Sequence, residues 1–214
     1  MTFPLIAIAG LATLLLAGSI LWRLSSRRTS RPCPSWLAWM VELDNPFARN
    51  HNAASIVKRL DLKPGMRVLD AGCGPGRLTI PLAKALGPAG EVVALDLQAG
   101  MIKRARAKAM EAGLTNIRFE QRAIGPGALG EVLYDRVLLV TVLGEIPDRE
   151  EALREIARAL KQDGVLSITE IMLDPHYQRR ASVLRMAAGA GLRESAFWGN
   201  RLAYTLHLIK TGPA

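Results

Sequence analysis

Residues 66–76 read Met-Arg-Val-Leu-Asp-Ala-Gly-Cys-Gly-Pro-Gly, and this stretch decides the fold of the chain. It opens as a short apolar strand, Met66 to Leu69, and continues into an acid and three alternating glycines. Glycines permit a tight turn and let the backbone approach a ligand without a Cβ in the way. A leucine-rich helix follows, and then a second apolar strand, Glu91 to Leu95, which ends in Asp96. A strand, a glycine turn, a helix, a strand and an acid, in that order, are typical of a nucleoside-binding βαβ unit.

The spacing of the glycines indicates which kind of nucleoside the βαβ unit binds. A dinucleotide fingerprint requires a third glycine three residues after the second, where this chain has Arg77. Instead, Asp70 stands two residues before Gly72, and further glycines follow at Gly74 and Gly76. This pattern of an acid and alternating glycines resembles the one found in S-adenosylmethionine (SAM) methyltransferases.

Further segments extend that resemblance to roughly residues 45–214. Gln98 to Met101 follow the acid of the second strand, and Tyr134 to Arg136 open an apolar strand. Pro147 and Asp148 precede a helix, and Lys161 to Gly164 precede another strand. The chain therefore resembles a class I SAM-dependent methyltransferase, of the broad group that includes the ubiquinone/menaquinone-biosynthesis C-methyltransferases. The resemblance implies an α/β, Rossmann-like fold: a doubly wound, seven-stranded and mostly parallel sheet with one antiparallel strand, in a domain spanning residues 46–214.

The same resemblance implies a SAM site and its residues. Gly72 and Gly74 would approach the methionine end of the cofactor, and Asp96 would accept from the ribose hydroxyls. Asp70 would help to fix both the glycine turn and the amino group of the cofactor. The other implied contacts are Gly76 in the turn, Leu97 and Met101 beside the adenine, Ala123 and Ile124 along its other side, and Thr141 near the methionine end. For Asp96 the alternative is a surface acid at a strand end, and for Met101 it is an ordinary core residue.

Two positions depart from the family pattern. Arg122 stands where many relatives have an acid that accepts from the adenine amino group, and an arginine cannot accept a hydrogen bond. The histidine that is frequent after the fourth strand is absent, because the chain reads Val-Leu-Gly-Glu over residues 142–145. Adenine recognition is therefore expected to depend on backbone groups or on a displaced loop.

The predicted chemistry requires few catalytic side chains. The sulfonium of SAM activates the methyl group, so the protein must align the acceptor, exclude water and in some cases remove a proton. Glu145 after the fourth strand and His176 after the fifth are the candidate catalytic residues, and the alternative for each is a structural or surface role. No metal site is expected, because two cysteines and three histidines are widely spaced in the sequence.

The amino-terminal segment predicts a membrane anchor. Residues 3–22 carry no charge, and at about 1.5 Å per residue they form a helix as long as a bilayer core is thick. Arginines at 23, 27, 28 and 31 follow directly, which places the rest of the chain on the cytoplasmic side of the membrane. The alternatives are a cleaved signal peptide and a helix of a soluble protein. We assign residues 1–22 to the anchor and residues 23–45 to a basic, aromatic juxtamembrane linker.

Composition limits the possible functions further. Half of the 214 residues are apolar, which excludes a disordered chain, and the net charge of +9 arises partly from the arginines beside the anchor. No basic surface interleaved with aromatic residues is evident, so a nucleic acid partner is not expected. We therefore expect a methyltransferase of a small lipophilic acceptor, quinone-like or lipid. The alternatives are a methyltransferase of a soluble small molecule and a non-catalytic SAM-binding module. The oligomeric state is left open.

Overall fold

The computed structural model describes Gly10, Thr13, Ala17 and the ranges 52–130 and 133–212. The α-helices of residues 52–212 are α1 (Ala53–Arg59), α2 (Thr79–Leu86), α3 (Ala99–Glu111), α4 (Arg149–Ala159) and α5 (Arg180–Gly189). The strands are β1 (Arg67–Ala71), β2 (Glu91–Asp96), β3 (Ile117–Gln121), β4 (Tyr134–Val140), β5 (Leu160–Ile171), β6 (Leu192–Gly199) and β7 (Ala203–Lys210). A 3-10 turn, Leu143–Glu145, follows β4.

All seven strands form one sheet in the order β3-β2-β1-β4-β5-β7-β6. Strands β1 to β5 pair in parallel, whereas β7 is antiparallel to both β5 and β6. The predicted seven-stranded sheet with one antiparallel strand is therefore confirmed. The strand order reverses between β1 and β4, and open sheets of this kind bind ligands beyond the carboxyl ends of the strands at that point.

The core lies on both faces of the sheet. Alternate residues of a strand point to opposite faces, so that Leu69 packs towards α4 and α5 while its neighbour Val68 packs towards α1 and α2. The central strands are buried on both sides and therefore read as unbroken apolar runs. Both helical layers leave the carboxyl ends of the parallel strands as the edge where a ligand can approach.

The start of β5 differs from the prediction. Lys161 to Gly164, which resemble a turn before the strand, lie inside β5 as an irregularity. The pairing of β5 with β4 shifts there, from Tyr134 opposite Leu160 to Arg136 opposite Val165. The chain thus enters the sheet before these four residues and bulges out of register across them.

The amino-terminal predictions fall almost entirely outside the described residues. Of the predicted anchor, residues 3–22, only Gly10, Thr13 and Ala17 are described, and these three are helical and exposed. The linker, residues 23–45, is outside the described part. Where the structure does describe helices, none has both the length and the apolar character that crossing a bilayer requires.

Candidate active site

The glycine turn joins the ends of β1 and β2. Gly72, Gly74 and Gly76 all have positive φ, of 77°, 53° and 87°. The Gly72 N–H donates to the carbonyl oxygen of Leu95 at 2.7 Å, and the Gly74 N–H donates to Asp96 Oδ2 at 2.9 Å. Because only glycine adopts this backbone conformation readily, the turn can hold its N–H groups towards the end of β2.

Packing leaves little or no room for a side chain at two of these glycines. A Cβ at Gly72 would overlap the side chain of Val142, which belongs to the segment after β4. A Cβ at Gly76 would lie 3.1 Å from the Cβ of Ala105 in α3. The predicted role of these residues is contact with the cofactor. The structure shows in addition that the turn packs closely against the segment after β4 and against α3.

Asp70 is buried beneath the turn. The hydroxyl of Thr79, at the start of α2, donates to Asp70 Oδ2 at 2.6 Å. Burial raises the pKa of Asp70 to about 6, although the hydrogen bond from Thr79 opposes that rise. Asp70 therefore fixes α2 against β1, and its contact with the cofactor stays a prediction. Sequence reasoning missed Thr79, whose only signal is its place as the first residue of the helix after the turn.

Asp96 lies at the carboxyl end of β2 and is 8% exposed. Its Oδ1 accepts from the Gln98 N–H at 2.8 Å and its Oδ2 from the Gly74 N–H at 2.9 Å. Burial raises the pKa of this carboxyl, and both backbone hydrogen bonds oppose the rise. A carboxylate can accept about four hydrogen bonds, so two positions are left for the hydroxyls of a ribose. The predicted role of Asp96 fits this geometry.

The predicted adenine contacts divide into exposed and buried residues. Leu97 is 55% exposed, and Ala123 is also exposed, so both offer apolar surface beside Asp96. Met101 is only 3% exposed in α3, as its core alternative implies, and Ile124 packs against the core. Arg122 turns its side chain to Glu120, while its N–H donates to the Asp96 carbonyl oxygen at 3.1 Å.

Thr141 follows β4 with φ at 55°, which is rare for a residue that is not glycine. Its N–H donates to the carbonyl oxygen of Thr169 at 2.8 Å, and its hydroxyl donates to that of Val140 at 2.7 Å. Backbone strain of this kind clusters at functional sites. Thr141 lies at the switch point between β1 and β4, and its contact with the methionine end of the cofactor stays a prediction.

The two candidate catalytic residues lie on segments that meet. A Cβ at Gly144, beside Glu145, would collide with the carbonyl group of His176. Glu145 is half-buried in the 3-10 turn, and His176 is 6% exposed, with its N–H donating to Asp174 Oδ1 at 2.7 Å. A cavity of about 220 Å³, which we call the Arg149 cavity, opens between these segments. Its lining residues are Gly144, Arg149, His176 and Gln178.

Sequence reasoning missed one buried acid beside this cavity. Glu170, near the end of β5, is 1% exposed, and its Oε2 accepts from the Gln178 N–H at 2.9 Å. Burial raises the pKa of Glu170 to about 8. The available signal was its position, because Asp70, Asp96 and Glu170 all stand near the carboxyl ends of parallel strands. Within the described ranges, no group of three or more potential ligand side chains is placed to hold a metal ion.

The fold has known counterparts among solved structures. A SAM-dependent methyltransferase from Aquifex aeolicus matches 84% of this chain and 100% of its own, with a TM-score of 0.75 and 21% identity. The magnesium protoporphyrin IX methyltransferase of Synechocystis, solved with bound SAM, matches 90% of this chain and 97% of its own, with a TM-score of 0.67 and 21% identity. At 21% identity, these structural similarities show the fold alone.

Sequence comparison identifies the family. A demethylmenaquinone methyltransferase of Lactobacillus johnsonii is 37% identical over 114 residues, which are 53% of this chain and 47% of that protein. The chain spans about half the length of the curated relatives that it matches. The model of the methyltransferase domain family matches residues 62–206, which include the glycine turn, Asp96 and the Arg149 cavity. The chain therefore belongs to the methyltransferase domain family, within the class that depends on SAM.

Proposed function

We propose that this protein transfers a methyl group from SAM to a small, lipophilic acceptor, quinone-like or lipid. The observation that carries the proposal is the joint geometry of the glycine turn and Asp96, whose carboxylate is held by two backbone N–H groups with room for two further hydrogen bonds. Such a site fits a nucleoside. SAM supplies an electrophilic methyl group when it is bound.

The residues of this chain have separate tasks in that reaction. Asp96 would hold the ribose, Leu97 and Ala123 would cover the adenine, and the turn from Gly72 to Gly76 would lie along the methionine end. Glu145 and His176 lie on the two segments that border the Arg149 cavity. We propose that these segments position the acceptor and exclude water, because methyl transfer requires in-line alignment more than it requires a nucleophilic side chain.

The acceptor class is supported by the names of curated relatives. The Lactobacillus johnsonii protein is named a demethylmenaquinone methyltransferase, which supports a lipophilic quinone-like acceptor here. Membrane attachment would suit the same substrate. We propose that residues 3–22 anchor the protein by a single span, with the catalytic domain on the cytoplasmic side, because the arginines that follow favour that side.

The experiment that tests the function begins with the cofactor. SAM affinity is measured by calorimetry for the wild type, for Asp96→Ala and for Asp163→Ala, an exposed acid in the β5 bulge that serves as the control. Asp96→Ala should weaken SAM binding by about 1.5–3 kcal/mol, because buried ribose hydroxyls lose a charged acceptor. Equal affinity in a folded Asp96→Ala variant would contradict the site.

Measurements of turnover then distinguish the proposed function from the two alternative functions. Lipid extracts and soluble metabolite pools are each incubated with the protein and SAM labelled on the methyl group. Label in a lipid product supports the proposal, and label only in soluble products supports the alternative acceptor. SAM binding without any labelled product would indicate a non-catalytic module.

A further inference from the structure

We propose that the Arg149 cavity binds a carbonyl oxygen of the methyl acceptor, with the Arg149 guanidinium and the Glu170 carboxyl as the two hydrogen-bond donors. The inference rests on the proposed function and deepens it, because it names the chemical group by which the acceptor is recognised. It depends on two buried polar atoms that have no hydrogen-bond partner within the described ranges. One belongs to Arg149, which lines the cavity, and the other to Glu170, which accepts from the lining residue Gln178.

The first donor is Arg149, the first residue of α4. Its Nη2 donates to the carbonyl oxygen of Gly144 at 2.9 Å, which fixes the guanidinium at the wall of the cavity. Its Nε is buried and has no hydrogen-bond partner among the residues that the structure describes. A guanidinium N–H can only donate, and a buried donor without an acceptor is costly. An acceptor atom in the cavity would satisfy it.

The second donor is Glu170. Its Oε2 accepts from the backbone N–H of Gln178, a residue that lines the cavity. Its Oε1 is buried and likewise has no hydrogen-bond partner within the described ranges. Because burial raises the pKa of Glu170 to about 8, the carboxyl holds a proton at neutral pH. Since Oε2 already accepts, that proton belongs on Oε1, where it can be donated.

The surrounding charges favour a neutral oxygen over an anion. Asp174 and Glu145 raise the pKa of Glu170, whereas Arg149 lowers it, so two acids offset one cation around this carboxyl. The hydroxyls of the two nearby tyrosines already donate to backbone carbonyl oxygens. Tyr177 donates to Arg201 and Tyr204 to Gln178, each at 2.8 Å. A carboxylate or phosphate would be repelled by Asp174 and Glu145. A carbonyl oxygen carries no full charge and can accept hydrogen bonds from both available donors.

The size of the cavity limits how much of the acceptor it holds. Its volume of about 220 Å³ is below the roughly 300–1,000 Å³ that is usual for small-molecule sites. The cavity therefore accommodates the part of the molecule that bears the carbonyl group. The rest of a lipophilic acceptor would lie outside it.

Matched probes test the hydrogen bonds directly. Acetophenone and α-methylstyrene have nearly the same shape, but the second has a CH₂ group in place of the carbonyl oxygen. Binding of each probe to the full-length protein is measured by ligand-observed NMR, with S-adenosylhomocysteine present. The readout is the ratio of the two affinities, compared between variants in the same detergent so that partition into micelles cancels.

The wild type should prefer acetophenone, and Arg149→Met should lower that preference about tenfold, because a charged donor is lost. Arg193→Met, which changes an exposed arginine of β6, is the matched control and should leave the ratio unchanged. Glu170→Met should also lower the preference. Glu170→Gln should keep it, because an amide donates at the same position while its oxygen still accepts from Gln178.

The pH dependence separates a donor from a packing role. Above pH 8 wild-type Glu170 loses its proton, so the acetophenone preference should fall, whereas Glu170→Gln should retain it. An equal ratio in the wild type and Arg149→Met would overturn the inference, as would a pH dependence that Glu170→Gln leaves unaltered. SAM affinity is measured separately on the same samples and tests the proposed function. A failure of the proposed function can therefore be told apart from a failure of the carbonyl-binding proposal.

Discussion

At the scale of single residues, the glycine turn shows how one position serves both backbone conformation and packing. Gly72 has φ at 77°, and a Cβ there would overlap Val142 in the segment after β4. The packing of the glycine turn is thereby coupled to the segment after β4. A change at this residue should act on both.

We expect Gly72→Ala to lower the free energy of unfolding by about 2–4 kcal/mol, from the left-handed backbone and the overlap together. In a Val142→Ala background the overlap is relieved, and the cost of Gly72→Ala should be at least about 1 kcal/mol smaller. Denaturant unfolding of the four proteins of this cycle measures the coupling. Strict additivity would show that Val142 does not limit this position.

The buried carboxyl of Glu170 is expected to make the stability of the protein depend on pH. Its pKa is about 8 in the folded protein and about 4.3 in an unfolded chain, so the folded state holds the proton between these values. The contribution of Glu170 to stability is therefore fully present below about pH 4 and is lost as the pH rises through about 8. Relative to Glu170→Gln, the wild type should lose up to about 1.4 kcal/mol per pH unit across that window.

Denaturant unfolding of the wild type and Glu170→Gln at pH 5, 7 and 9 provides the measurement. The control is Glu111→Gln, which changes an exposed acid at the end of α3. A difference between wild type and Glu170→Gln that does not change with pH would show that this carboxyl is ionised in the folded protein throughout.

At the scale of elements, helix α4 links stability to the candidate site. Asp148 caps it, accepting from the Glu151 N–H at 2.9 Å, and the first residue of the helix is Arg149. The sequence predicts that a helix follows Pro147 and Asp148, and the structure confirms that it begins at Arg149. The cap therefore also sets the position of the guanidinium at the cavity.

Asp148→Ala should cost about 1 kcal/mol of unfolding free energy, and Asp148→Asn much less, because asparagine also caps helices well. The alanine variant should in addition weaken acetophenone binding while leaving SAM affinity unchanged. Thermal unfolding and the probe measurements check both parts. Unchanged probe binding in a destabilised Asp148→Ala protein would show that Arg149 keeps its place without the cap.

At the scale of the whole molecule, the proposed anchor and the catalytic domain are separable in sequence. The apolar stretch ends at Trp22, and the strand that leads into the glycine turn begins at Arg67. Deletion of residues 1–34 should leave SAM affinity unchanged and should reduce activity on an acceptor presented in liposomes. The reason is that an anchor confines enzyme and acceptor to one surface and so raises their effective concentration.

The comparison uses full-length and truncated protein on the same acceptor, once in liposomes and once dispersed in detergent. The two proteins should differ in liposomes and agree in detergent. Replacement of the arginines at 23, 27, 28 and 31 by glutamine serves as the intermediate variant, since each charge near an anionic leaflet contributes about 1 kcal/mol. Equal liposome rates for full-length and truncated protein would favour a soluble acceptor.

The sequence by itself determined the order of strands and helices, the glycine turn and the acid at the end of β2. These are local features: an apolar period, a glycine that permits positive φ and an acid where a strand stops can all be read from neighbouring residues. The sheet topology followed from the resemblance that those motifs support, and the structure confirmed it.

The tertiary structure alone decided which distant residues meet. Glu170 and Arg149 are separated by twenty residues, and neither matches a motif, yet Arg149 lines a cavity and Glu170 accepts from Gln178, another residue that lines it. Burial, which raises the pKa of Glu170, and the overlap of Gly72 with Val142 depend equally on chain segments brought together by folding. Contacts between distant segments leave no local pattern in the sequence, and for that physical reason the proposed acceptor cavity emerged only from the fold.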